Sequence, residues 1–304
     1  MISKFIMGAI VLMFTICPHP AKAQQPWSIP YYFIAIHCEP LHDLASARES
    51  IDENYQILRQ MVAKANQYNI KVTIMFSPEW ASYIGGSRRR VAEIQMWRRQ
   101  GHEMGAHHHS IYHGNWDGYT DYPLWFADLE RYEMGRDVPE SYLGTLSNFM
   151  EDLSPLGPIR SGCTNEEEDK AEMPDGIQYS TCSGYANFGS PGRIVNDFDE
   201  PQKGRNEYVT VGWWNGILRK WLAHYLMPTM NEQIKARTVF TTMRPEEAYG
   251  VVLHASPNNT EAYYAYLDFL HAQDPIGFKS RTVTEIIEQQ ILPERFMEIP
   301  QYSE

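Results

Sequence analysis

The 304-residue sequence has only four cysteines, no internal repeat and no low-complexity tract, and it lacks basic charge: 26 Lys and Arg face 38 Asp and Glu, a formal net charge of −12. That deficit argues against a nucleic-acid or anionic-membrane partner, both of which are held by cationic surfaces. Long apolar runs are also missing after the first two dozen residues, so no stable membrane insertion is expected. The one such run, Phe5 to Ile16 in "MISKFIMGAIVLMFTICPHPAKAQQ", is shorter than the ~20 residues a bilayer-spanning helix needs. With Lys4 before it and Ala21-Lys22-Ala23 after it, the segment reads as a signal peptide, residues 1–23, removed after Ala23. Cys17 follows Ile16 rather than a small residue, which argues against lipoprotein processing. The expected product, residues 24–304, is an exported chain, periplasmic or extracellular, and two charges more negative because Lys4 and Lys22 leave with the leader. At 43% hydrophobic residues it can bury the core of one large domain.

Scarce cysteine matters once export is expected. Cys38, Cys163 and Cys182 remain, and an oxidising compartment permits a disulfide. Cys163 with Cys182 would close a loop in an irregular region and leave Cys38 over; the sequence leaves the pairing open.

What is present is alternation. "PYYFIAIH" (30–37) is a continuous apolar run, the pattern of a strand buried on both faces. Ile51, Tyr55, Leu58, Val62 and Ala65 then recur at helical spacing. "KVTIMFS" (71–77) predicts a second buried strand, "SRRRVAEIQMWRRQG" a helix stopped by Gly101, and residues 102–107 a short third strand. "GPIRSG" (157–162), "YVTVGW" (208–213) and "YGVVLHAS" (249–256) predict later strands, and helices are expected over 261–272 and 283–292. Such alternation predicts an α/β fold, a parallel sheet or barrel. Residues 162–206 are turn-rich and read as an irregular insertion of the kind that often shapes a site.

The functional candidates fall just after predicted strands: Glu39 after the first, the histidine cluster of "GHEMGAHHHSIYHG" after the third, Arg160 at the fourth and His254 at a late one. Functional loops of parallel sheets and barrels lie at the carboxyl ends of their strands. If the segment turns helical, His109 and His113 lie on one side of it and can share a metal. Neutral imidazoles with a carboxylate, here Glu39, suit zinc and leave one position for water. Each residue also has an ordinary explanation. The histidines can be a solvated loop, Arg160 can pair with a surface carboxylate, His254 can be packed and hydrogen-bonded, and Cys38 can be a small buried hydrophobe. A Cys38 nucleophile beside His37 is disfavoured, because neighbours on a strand face opposite sides.

These pieces resemble the polysaccharide deacetylase family, carbohydrate esterase family 4. "GHEMGAHHHSIYH" resembles its second motif, with His109-Ser110-Ile111-Tyr112-His113 matching His-(Ser/Thr)-x-x-His. "FIAIHCEP" lies where the first motif should be, "PIRSG" resembles the third, and "GVVLHAS" the last. The resemblance implies a distorted (β/α)7–8 barrel of parallel strands, one divalent metal, and removal of an N-acetyl or other N-acyl group from an amino sugar or polysaccharide. It assigns Glu39, His109 and His113 to the metal, Arg160 to orienting the base, and His254 to protonating the leaving amine. The first motif departs from the family's paired aspartates, since His37-Cys38-Glu39 stand there. His37 then falls at the base position and Glu39 one residue late for the ligand; the base is His37, Glu39 or absent. A gapless alignment places His107, not His109, after "GHEMGA", so His107 is the reserve ligand. No clear copy of the fourth motif is present.

Trp116 and Tyr119, in the aromatic stretch after the histidines, are candidates to stack on a sugar, although such rings more often pack a loop. Asp117 and Asp121 are candidate substitute bases. Two other functions compete with the deacetylase reading: a non-catalytic glycan-binding protein on the same barrel, and a related C–N hydrolase acting on a formamide or cyclic amide.

Overall fold

The computed structural model describes residues 28–39, 44–136, 142–164, 172–182, 200–214 and 216–297, with the side chains of 44–49 outside the description. The expected signal peptide, and 165–171 and 183–199 of the expected insertion, lie outside the described residues. Among the described residues, eleven strands form one sheet: β1 (Tyr31–Cys38), β2 (Thr73–Phe76), β3 (Glu103–His108), β4 (Ser161–Thr164), β5 (Tyr179–Ser180), β6 (Arg205–Asn206), β7 (Val209–Trp214), β8 (Ile217–Trp221), β9 (Tyr225–Leu226), β10 (Ala248–His254) and β11 (Glu294–Phe296). Their order is β11-β7-β8-β5-β4-β3-β2-β1-β10-β6, with β9 also on β10. From β8 through β10 every pairing is parallel.

The apolar run of β1 explains its central place. Tyr32, Ile34, Ile36 and Cys38 face the helices, while Phe33 and Ala35 face the inside of the curl with Met75, Cys163 and Val252. Both faces are dry, as expected for a strand inside a parallel α/β sheet. The outer layer consists of α1 (Leu44–Gln67), α2 (Pro78–Gly85), α3 (Arg88–Arg99), α5 (Leu146–Asp152), α6 (Met230–Phe240) and α7 (Thr260–Gln273), whereas α4 (Leu124–Glu133) packs Ala127 on Ile111 and Trp116 of the loop after β3, and α8 (Val283–Glu288) packs Val283, Ile286 and Ile287 with the residues inside the curl. The helical stripe expected on α1 is its buried face: Ile51, Tyr55, Leu58, Val62 and Ala65 all join the core. Gly101 follows α3 with φ +95°, the left-handed conformation that lets the chain turn straight into β3 at little steric cost.

Three residues close the curl. Leu222, Ala223 and His224 join β8 to β9, although β8 lies at one side of the parallel run and β9 pairs with β10 at the other. So short a link spans roughly 10–14 Å at most, so the two sides of the sheet stand close together. Buried Asn206 fastens this link: its side chain donates to Ala223 O (2.8 Å) and Gly204 O (3.0 Å) and accepts from Ala223 N (2.7 Å). The architecture is a curled, mostly parallel half-barrel, in line with the expected distorted barrel. It differs at the edge: β7, which carries "YVTVGW", runs antiparallel to β8, and β6 antiparallel to β10.

Candidate metal centre

Because β1, β3, β4, β5, β8 and β10 are parallel, their carboxyl ends deliver side chains to one rim. Glu39 follows β1 directly. Its position is held by Trp80 Nε1, which donates to Glu39 O at 3.0 Å, and by Ser77 N, which donates to Cys38 O at 3.3 Å. His107 and His109 leave the same side of β3, two residues apart, as strand alternation requires. His108 points the other way, where its Nδ1 meets Asp117 Oδ2 at 2.8 Å and its ring packs edge-on against Phe149.

Three groups converge. His107 Nε2 lies 3.0 Å from Glu39 Oε1, His109 Nε2 lies 3.2 Å from Glu39 Oε2, and the two imidazole nitrogens are 3.0 Å apart. His254, at the end of β10, brings Nε2 to 3.1 Å from Glu39 Oε1. Burial opposes ionisation of Glu39, but the imidazoles of His107, His109 and His254 outweigh it and hold the carboxyl well below the usual range. His107 is pushed down by burial; for His109 burial is overcome by the hydrogen bond to Glu39, and its pKa is raised.

The donor set fits a cation. His109 Nδ1 lies 2.9 Å from Asn115 O, and a carbonyl can only accept, so Nδ1 carries the proton. In the neutral ring the lone pair of Nε2 therefore faces a carboxylate oxygen and a second imidazole nitrogen, a contact that either a proton or a metal ion between them relieves. The 3.0–3.2 Å separations are close to the edges of roughly 3.3 Å in a tetrahedral site with bonds of about 2.0 Å. Glu39, His107 and His109 thus form a candidate metal-holding triad. The orienting hydrogen bond on the far nitrogen of His109 is typical of a ligand histidine.

The structure brings together part of the set expected from sequence. Glu39, His109 and His254 meet. His113 does not join the converging atoms: the chain turns after β3 rather than forming a helix, with His113 N donating to Ser110 O at 3.0 Å. Its ring lies tilted against that of His109, centroids 3.7 Å apart, its Nδ1 accepts from Asn115 N at 3.0 Å, and burial, then His109, push its pKa down to about 3. His107, the reserve ligand, stands beside Glu39 and His109.

Arg160 is separated from the site by the length of β4. It precedes the strand, so it lies at the amino end of the sheet, paired with Glu288 and donating to Gln178 Oε1 (2.9 Å) and the Tyr179 hydroxyl (2.7 Å). His37 is at the rim but only 3% exposed. Its ring stacks on His107 at 4.0 Å, its Nδ1 is 3.9 Å from Glu39 Oε1, and burial, then His107 and His224, push its pKa well down. Trp116 and Tyr119 are 5% and 4% exposed and pack the loop: Trp116 Nε1 donates to Tyr119 O (2.8 Å) and the Tyr119 hydroxyl to Asp152 (2.6 Å). Asp117 is consumed in holding His108 and the backbone N–H of His109 (3.1 Å), and Asp121 accepts from Leu146 N (3.0 Å).

Sequence reasoning missed His224, which the three-residue link carries to the rim; no spacing pattern marks it. A row of imidazoles results, with ring centroids 5.7 Å apart from His224 to His37, 4.0 Å from His37 to His107, 4.6 Å to His109 and 3.7 Å to His113. Beside α2 lies a cleft of about 1120 Å³ lined by Asp52, Glu79, Tyr83, Arg90, Tyr119 and Asp152 among others. Glu79 feels the charge of His109, and burial pushes its carboxyl up to about 7.

No family model matches the sequence, and no curated protein is similar to it in sequence. Solved structures are similar in fold. A 4-alpha-glucanotransferase from Thermococcus litoralis superposes with a TM-score of 0.54 at 12% identity, over 90% of this chain and 42% of that one, so the chain spans less than half of that enzyme's length. A putative polysaccharide deacetylase from Mycobacterium smegmatis superposes with a TM-score of 0.50 at 13% identity, over 93% of this chain and 99% of that one. The resemblance carried by the sequence motifs is therefore present in the fold along almost the whole chain: a deacetylase-type distorted barrel.

Proposed function

We propose that the protein is an exported, metal-dependent hydrolase that removes an N-acyl group, in the simplest case acetyl, from an amino sugar within a glycan. The observation that carries this reading is the convergence of Glu39, His107 and His109 within 3.0–3.2 Å at the carboxyl rim of a parallel sheet. The glycan class is supported by the two neighbours in fold, a glucanotransferase and a putative polysaccharide deacetylase, and export by the leader-like residues 1–23. The cleft beside α2, which Glu79 helps to line, offers room for several sugar units.

Glu39, His107 and His109 would hold the metal, zinc by the chemistry of the donors. When bound, it supplies Lewis acidity toward an acyl oxygen and lowers the pKa of water. His254 is the proton carrier: its side chain is 30% exposed, against 0% for His107 and His109, so it can reach substrate. Its neutral imidazole takes a proton from the attacking water and returns it to the amine nitrogen as the C–N bond breaks, which balances amide plus water against amine plus carboxylic acid. Glu39, 3.1 Å from His254 Nε2, steadies the imidazolium between the two transfers. His37, sealed beneath His107, acts as a positioning residue.

Two observations favour a second reading, a glycan-binding protein without turnover. Arg160, assigned by resemblance to orient a base, lies at the other end of the sheet, and the sequence neighbours of Glu39 are Cys38 and Pro40 rather than an aspartate. The deciding experiment is release of acetate from N-acetylated chitooligosaccharides and peptidoglycan fragments by the zinc-loaded protein and its His254→Ala variant. Turnover that falls at least a hundredfold in the variant supports the hydrolase. Tight binding of the same glycans with no acetate released by either protein supports the binding reading.

A further inference from the structure

Behind the triad, inside the curl, lies a second group of potential ligands. His37, Cys163, Cys182 and His224 each place one ligand atom within 4.8 Å of the others, and all four are buried. They come from four places that only the closed sheet unites: the end of β1, β4, the residue pair following β5, and the link between β8 and β9. Cys163 and Cys182 form a disulfide here, and Cys182 Sγ lies 3.6 Å from His224 Nε2. His37 Nε2, on the side of the ring away from Glu39, is buried without a hydrogen-bond partner. Such an orphan is costly in a well-packed interior, and a disulfide gives it no strong acceptor or donor.

We propose that His37, Cys163, Cys182 and His224 form a second cation site, which takes a borderline-soft divalent metal of the zinc type when the Cys163–Cys182 disulfide is reduced. Two thiolates and two imidazoles are a preferred tetrahedral donor set for zinc, with edges of roughly 3.3–3.8 Å for bonds of about 2.0–2.3 Å. The present 4.8 Å envelope is wide enough to hold such a tetrahedron, and cleavage of the S–S bond frees both sulfurs to separate by rotation at Cα–Cβ. The redox step balances with a dithiol as reductant. Two electrons break the S–S bond, the donor leaves as a disulfide, and its two protons pass to Cys163 and Cys182. Entry of the dication then returns those two protons to solvent as the sulfurs bind as thiolates. The site is separate from the Glu39 triad, which contains no sulfur, but His37 stacks on His107, so the two centres share a wall.

Cobalt(II) gives a readout that distinguishes the two centres, because only a thiolate ligand yields a sulfur-to-cobalt charge-transfer band in the near ultraviolet. The whole protein, with its disulfide intact or reduced by dithiothreitol that is then removed under nitrogen, is titrated with Co²⁺ and with Zn²⁺ while circular dichroism follows the fold. The expected result is one additional equivalent of metal in the reduced form, with the band present there and absent after reoxidation. His224→Ala should weaken the additional equivalent at least tenfold, the lower end of the loss when only a ligand's outer-shell partner is removed, whereas Glu39→Gln should leave the band in place. Equal metal content in both redox forms, no band, or a band undiminished in His224→Ala overturns the proposal. So does loss of the fold on reduction in excess Zn²⁺, since an occupied site would have held the chain together.

Discussion

His107 and His113 lie six residues apart, and the backbone period decides between them. A helical reading pairs His109 with His113, four apart; the strand period of two pairs His107 with His109, and β3 runs to His108. The motif was legible in the sequence, but its register was not, because three adjacent histidines satisfy either period. His107→Ala is expected to lose the metal and at least a hundredfold in activity, and His113→Ala to keep the metal within tenfold affinity, both checked by elemental analysis after dialysis; the reverse pattern returns His113 to the ligand set. Glu172 gives a second residue-scale prediction. Burial pushes its carboxyl up to about 7, while bonds from Thr120, Ile111 N and Asp121 N pull the other way. The folded chain therefore binds a proton at Glu172 that the unfolded chain has released above about pH 4.5. The stability from this group is full below about pH 4.5 and is lost as pH rises through about 7. Urea unfolding of the parent should show this loss, on the order of 3 kcal/mol for a shift of this size, and Glu172→Gln should flatten that part of the profile. A variant with an unchanged slope between pH 5 and 8 rules the assignment out.

Long elements were legible and short ones were not, for a physical reason. β1, α1, β10 and α7 each bury enough residues for a pattern to emerge, whereas β5, β6 and β9 have two residues apiece and are strands only because neighbours complete their ladders. Arg160 shows the same limit at an element's boundary. "PIRSG" was rightly placed at the fourth strand, but which end of β4 bears the arginine depends on where pairing begins, at Ser161. The ordinary explanation, an ion pair with a carboxylate, is the one realised, with Glu288. Asn206 tests the closure at this scale. Asn206→Ala strips partners from the buried N–H and C=O of Ala223 and should cost about 3 kcal/mol in denaturant unfolding, the range for orphaning buried polar groups. A change below about 0.5 kcal/mol, the size of an ordinary surface substitution, means that water or a shifted backbone replaces the clamp.

Across the whole molecule, the histidines and Glu39 meet only because the sheet curls, so metal binding and folding should be coupled. Zinc at a hundredfold excess over its dissociation constant is expected to raise unfolding stability by about 2.7 kcal/mol. Chelation should reverse the gain in a thermal melt, and Glu39→Gln should abolish most of it; a melt indifferent to zinc contradicts a preformed site. The Cys163–Cys182 crosslink, with a sequence separation of 19, should add roughly 3 kcal/mol by restricting the unfolded chain, measurable as the drop on reduction without metal. The link of Leu222, Ala223 and His224 has a consequence for cutting and rejoining the chain. A circular permutant with its new ends placed there would turn a cuff into an open ribbon, separating β8 from β9 and His224 from Cys182. The same operation at the exposed turn around Asp175 and Gly176 would leave the ring intact, so tolerance to permutation should map where the cuff is fastened.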